Sequence, residues 1–126
     1  MASIYRVLPK TVCALCQSFD AWIVGSAVGW IDDYFAYTPM ELREISDYPN
    51  DFDVIVSHEN WNKACKILPK DAVINSCGEF KVGDVGNGNP VDVDVWMDDI
   101  GNLAIVNNDF HAYHPRTGTF LTTVVD

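Results

Sequence analysis

Two Asp-x-Asp runs set inside β-type sequence constrain this chain more than any other feature: Asp51-Phe52-Asp53-Val54-Ile55-Val56 and Val91-Asp92-Val93-Asp94-Val95-Trp96. Aspartate is depleted in strands, and strand side chains alternate between faces with a period of two. Asp51 and Asp53 therefore share one face of their strand, as do Asp92 and Asp94 of theirs, and the apolar residues between them take the opposite face. Four like charges on adjoining strands repel unless something positive sits among them, and the usual candidate is a divalent cation. The bland alternative is a pair of solvent-facing strand edges. Two such runs in one small chain, preceded by the Gly25-Ser26 turn, favour a functional arrangement.

A chain of 126 residues is expected to form one domain over 1–126, with a core of its own. No apolar stretch reaches membrane-spanning length, and Met1 to Arg6 lacks the apolar run of a signal peptide, so no membrane association and a cytoplasmic location are expected. The net charge of −10, with only eight scattered Lys and Arg, disfavours broad nucleic-acid binding. Cys13 and Cys16 form a Cys-x-x-Cys, but Cys16 belongs to the helically spaced stripe Val12, Leu15, Cys16, Phe19, and Cys65 and Cys77 lie far downstream. Reduced, mostly buried thiols fit this pattern better than zinc or disulfides.

The spacing predicts a helix from Pro9 to about Ser18, a short strand Ala21–Val24, and a helix Ala27–Ala36 with Ser26 as N-cap. Thr38-Pro39-Met40-Glu41 has the form of a capping box opening a helix to about Ser46. The strand Asp51–Val56 follows, then a helix capped by Ser57 whose apolar face is Trp61, Ala64, Cys65 and Leu68, ended by Pro69. Beyond it the pattern turns to β: Ala72–Asn75, then Glu79–Val82 and Val91–Trp96 around the hairpin loop Gly86–Pro90. Leu103–Val106 reads as a further strand after the turn at 98–102, and a turn at Pro115–Gly118 precedes the apolar segment Thr119–Val125. The expected fold class is α+β, a mixed sheet with helices packed on one side.

In this order — strand, Gly-Ser, helix, strand with Asp-x-Asp, helix, later strand with another carboxylate — the chain resembles the nucleotidyltransferase superfamily that includes DNA polymerase beta and small bacterial nucleotidyltransferases. The residues carrying the resemblance are Ile23-Val24-Gly25-Ser26, Asp51-Phe52-Asp53-Val54 and the aspartates of 91–96, covering roughly residues 20 to 97. It implies a nucleotidyltransferase-like sheet and a Mg2+- or Mn2+-dependent transfer of a nucleoside monophosphate. The donor would be a nucleoside triphosphate, ATP among the candidates, and the acceptor a hydroxyl on a protein, an RNA end or a small molecule. Asp51 and Asp53 would hold metal, with a third carboxylate completing the catalytic set. Gly25 lets backbone approach a phosphate, and Ser26 and the helix N–H groups behind it favour an anion there. Alternation leaves Asp92 and Asp94 both open as the third carboxylate, and the Asp94-Val95-Trp96 pattern of some bacterial relatives favours Asp94. Lys81, in a strand expected to pair with that of Asp94, is a base, a phosphate contact or half of a cross-strand salt bridge.

The second functional class is a non-catalytic module of the same fold, antitoxin-like or inhibitory, that applies its acidic face to a protein partner. Ala27 and Val28 after Ser26, where many relatives carry a residue that meets phosphate, suit that reading. Asp92 to Met97 is rejected as a calcium loop because Trp96 and Met97 stand where a ligand and glycine belong. His111 and His114 read as a solvated or hydrogen-bonded pair in turn-like surroundings rather than zinc ligands. Trp22, Trp30 and Trp61 read as core, and Trp96 shares the carboxylate face.

Overall fold

A computed structural model of the chain describes residues 4–68, 73–74, 79–106 and 111–122. Alternation in the two aspartate strands organises it. Phe52, Val54 and Val56 of β2 (Asp51–Val56) and Val91, Val93 and Val95 of β5 (Asn89–Met97) all point to one face and are buried there. Against them pack α1 (Lys10–Phe19) through Val12, Leu15 and Cys16, and α2 (Ala27–Ala36) through Ala27, Val28, Trp30 and Ile31. Leu42 of α3 (Pro39–Ile45) and Ala64 of α4 (Trp61–Cys65) join the same cluster.

The sheet has seven strands in the order β3-β4-β5-β2-β1-β6-β7, where β1 is Trp22–Val24, β3 Val73–Ile74, β4 Phe80–Gly86, β6 His111–His114 and β7 Thr119–Thr122. All neighbours are antiparallel except β2 and β5, which run parallel. A parallel pair needs a crossover, and the chain between β2 and β5 provides it through α4 and the β4–β5 hairpin.

Several expectations hold to the residue. α2 and β2 have the expected bounds, and the capping box forms, with Thr38 Oγ1 accepting from Glu41 N and Glu41 Oε1 accepting from Thr38 N. Others change. Pro9 takes the position before α1, with extended backbone, and is not its first helical residue. Ser57 Oγ accepts from Asn60 N, so the next helix begins later than expected, at Trp61. The β4–β5 hairpin closes on two residues, Asn87 and Gly88, both at positive φ, so the strands are longer and the loop shorter than 86–90.

Two corrections concern whole elements. Leu103–Val106 is not a strand: it belongs to helix α5 (Ile100–Val106), whose Ile100 and Leu103 cover Val24, Ile55 and Ala112 on the opposite face of the sheet. The helices are therefore not all on one side; four contribute to one face and α5 lies on the other. An apolar run of four cannot tell strand from helix, and the uncovered patch on the second face decides it. His111–His114 is a strand rather than turn-like: it pairs with β1 and β7, with His111 exposed and His114 buried. His114 meets the Thr117 hydroxyl through Nδ1 (2.8 Å) and the Asp20 carbonyl through Nε2 (3.2 Å), so it is hydrogen-bonded but not solvated. Pro69, Cys77, both ends of Ala72–Asn75 and the end of Thr119–Val125 lie outside the described residues. No helix among the described residues is long and apolar enough to cross a membrane.

Candidate metal and phosphate site

The parallel register of β2 and β5 sets Asp51 opposite Asp92 and Asp53 opposite Asp94. Pairing brings carboxylates together, but not all four. Asp51, Asp53 and Asp94 each offer an oxygen lying within 4.8 Å of the other two. Asp92 is outside this group: its neighbour across the hairpin is Gly83, which has no side chain to hold it, and it stays exposed in a separate groove of about 580 Å³ with Asn50 and Asp84. Of the two residues alternation left open, only Asp94 joins the pair on β2.

The Asp94 side chain is 13% exposed, and its Oδ1 is buried without a hydrogen bond. Lys81 Nζ, from the cross-strand partner position on β4, lies 3.5 Å from that oxygen, an ion-pair distance without hydrogen-bond alignment. Lys81 thus forms the cross-strand salt bridge with Asp94. Burial pushes the Asp53 carboxyl up to about 6, aided by the charges of Asp51, Asp94 and Glu79 and by a hydrogen bond shared with Asp94. The group stores like-charge repulsion at its centre.

Gly25 touches this group directly. Val24 at the end of β1 pairs with Asp53, and the chain then turns at Gly25 with φ +80. A Cβ there would stand 2.8 Å from Asp53 Oδ2, so both the backbone conformation and the close approach call for glycine. Ser26 occupies the N-cap position of α2 with helical dihedrals and makes no side-chain cap bond, so its hydroxyl is not engaged by the helix. Ala27 and Val28 turn inward to the core.

Beside Gly25 and Ser26 opens a cleft of about 620 Å³ that also takes in Gly29, Asp32, His111 and Phe120. The sequence did not mark Gly29, Asp32 or Phe120 for this site, and it had His111 only as half of a histidine pair with His114. Gly29 and Asp32 follow Ser26 at helical spacing of three and six, a signal that was available. His111 and Phe120 come from β6 and β7, and no local pattern ties them to α2. Trp96 shares the carboxylate face but packs beside Ile55 and Ile100.

Three carboxylates are hard oxygen donors of the kind Mg2+ and Mn2+ take, with no thiolate or imidazole among them to favour a softer ion. The buried, unbonded Asp94 Oδ1 and the strained charge on Asp53 are both deficits that a cation would relieve. The donor set fits a hard divalent cation. The Cys-x-x-Cys does not offer a second centre: Cys16 is buried, with its thiol pushed up by burial, and Cys13 Sγ donates to the Tyr5 carbonyl at 3.3 Å. Compared with protein-family models, curated proteins and solved structures, the chain shows no match in any of the three.

Proposed function

We propose that the protein is a metal-dependent nucleotidyltransferase, moving a nucleoside monophosphate from a nucleoside triphosphate to a hydroxyl acceptor. The observation that carries this reading is the contact between two separate features of the sequence. The Gly25-Ser26 turn lies against Asp53, and Asp53 is grouped with Asp51 and Asp94 from an adjacent strand. Strand, Gly-Ser, helix, Asp-x-Asp strand and later carboxylate strand thus meet at one place, as the resemblance to the superfamily requires. Asp51, Asp53 and Asp94 would hold the cation, which when bound neutralises the triphosphate and polarises the phosphorus under attack. Gly25 admits a phosphate close to the backbone, the Ser26 hydroxyl donates to it, and the amino end of the ten-residue helix α2 favours its charge. The cleft with Asp32 and Phe120 gives the rest of the nucleotide a place beside its phosphates. In the transfer, the acceptor oxygen forms a bond to the α-phosphorus, pyrophosphate leaves, and the hydroxyl proton passes to a carboxylate of the group. Calorimetric titration with Mg2+ and a panel of nucleoside triphosphates tests this. At least one should bind saturably and only with Mg2+, and the Asp51→Asn/Asp53→Asn variant should lose that binding; no binding by wild type, or equal binding by the variant, overturns the proposal.

The second reading, a non-catalytic module that presents its acidic face to a basic protein partner, has one observation in its favour. The first turn of α2 buries Ala27 and Val28 and so offers phosphate no charged or polar side chain beyond Ser26. Such binding would be strongly salt-dependent and independent of metal. Labelled nucleotide transferred to any acceptor would count decisively against it.

A further inference from the structure

Arginine is scarce in this acidic chain, present only as Arg6, Arg43 and Arg116. Arg116 is committed, its Nη1 donating to Asp20 Oδ1 at 2.9 Å. Among the described residues the Arg6 and Arg43 side chains have neither a hydrogen bond nor an ion pair, although the chain carries 18 Asp and Glu. Yet both line one cleft of about 600 Å³. The cleft lies on the helix-covered side of the sheet, where Val7, Trp30 and Leu42 belong to the main core, whereas the carboxylate group is on the opposite side. It is a separate place on the molecule.

Its construction is specific. Pro39, Leu42, Arg43 and Ser46 line it at the i, i+3, i+4, i+7 spacing of one helix face, while Glu41 and Glu44 are not among its lining residues. The tip of the β4–β5 hairpin brings Asn87 and Asn89 to the rim. Trp30 and Tyr48 form an edge-to-face pair at 4.9 Å, and Tyr48 is fixed by donating its hydroxyl to the Val7 carbonyl. One carboxylate, Asp47, also reaches the cleft and leaves it with a net excess of one positive charge. Two unpaired guanidinium groups over an apolar, aromatic wall are an arrangement that an anion with a small organic body completes.

We propose that this cleft binds a phosphate monoester. A carboxylate has two oxygens, which a single guanidinium fork can satisfy, while a phosphoryl group brings three oxygens and nearly two charges and can engage both arginines. Ser46 and the two asparagines supply neutral hydrogen bonds, and the volume is in the range of small-molecule sites. The proposal does not rest on the nucleotidyltransferase reading, because it uses none of the same residues.

The test is an NMR titration of the full chain in EDTA with phenyl phosphate, inorganic phosphate and benzoate. Without metal, the carboxylate group has nothing to attract phosphate. Phenyl phosphate is expected to bind saturably, shifting the Trp30 indole and the Ser46 and Asn87 amides, and to bind more tightly than inorganic phosphate or benzoate. An Arg6→Gln/Arg43→Gln variant, altered only at exposed positions, should melt like wild type and bind at least roughly tenfold more weakly, the equivalent of about 1.4 kcal/mol. Asp51→Asn/Asp53→Asn should bind phenyl phosphate as wild type does. Absence of saturable binding, equal affinity in the double arginine variant, or benzoate binding as tightly as phenyl phosphate would each overturn the proposal.

Discussion

Asp53 sits where burial and charge oppose each other most strongly, between Asp51 on its own strand and Asp94 on the next. Its folded carboxyl holds a proton up to about pH 6, against an ordinary value of 3.8. Between those values the folded state binds more protons than the unfolded chain, so stability falls as pH rises through that window and stays reduced above it. The group is only half buried, and solvent screening leaves a cost on the order of 1 kcal/mol at neutral pH. In EDTA, Asp53→Asn should therefore match or exceed wild type in melting temperature at neutral pH, and its advantage should shrink as pH falls from about 6 and be gone below 3.8. Thermal melts of both proteins across that range check this; an advantage constant with pH would mean that Asp53 carries no such strain.

Among the elements, α3 shows how far a local signal can go. Its capping box is complete: Thr38 Oγ1 accepts from Glu41 N at 3.3 Å, and Glu41 Oε1 accepts from Thr38 N at 3.1 Å. Hydrogen bonds from Thr38 hold the Glu41 carboxyl below its usual range. In a helix of seven residues those bonds are a large part of what holds it, so Thr38→Ala should cost about 1 kcal/mol in urea unfolding. Because Pro39, Leu42 and Arg43 line the arginine cleft, the same change should also weaken phenyl phosphate binding. The capping box, a hairpin within Gly86–Pro90 and the strict alternation of β2 were all readable locally, each being a short-range hydrogen-bond or steric preference. By contrast, Leu103–Val106 had no local signal to separate helix from strand. His111–His114 is a strand because β1 and β7 flank it, and its own residues do not announce that.

The whole molecule gathers three carboxylates in one place and spreads its apolar residues over both faces of a seven-stranded sheet. A cation that binds only the folded state should relieve the repulsion and stabilise the fold by mass action. At free Mn2+ about ten times its dissociation constant the gain is about 1.4 kcal/mol, and for a domain of this size each kcal/mol moves the melting temperature by a few degrees, roughly 2–8 °C. Differential scanning fluorimetry should show a rise of that order, reversed by EDTA and abolished in Asp51→Asn/Asp53→Asn. Asp92→Asn should leave it nearly intact, since Asp92 stands outside the group. A melting curve unmoved by millimolar Mn2+ would mean that Asp51, Asp53 and Asp94 hold no cation.

The pairing of faces on β2 and β5 was legible in the linear chain because alternation is a property of the extended backbone, which places Asp51 with Asp53 and Asp92 with Asp94 whatever surrounds them. The turn at Gly25 was legible for a similar reason, since glycine and serine before a helical pattern mark a sharp approach. Alternation did not choose between Asp92 and Asp94; only the resemblance, through Asp94-Val95-Trp96, leaned to Asp94. The choice depends on Gly83 and Lys81 across the hairpin and on how deeply each carboxylate is enclosed. Parallel pairing of β2 with β5, the placing of α5 on the second face, and the shared cleft of Arg6 and Arg43 are likewise products of long-range packing. Residues distant in the chain compete there for the same buried surface, and no short window of sequence records the outcome.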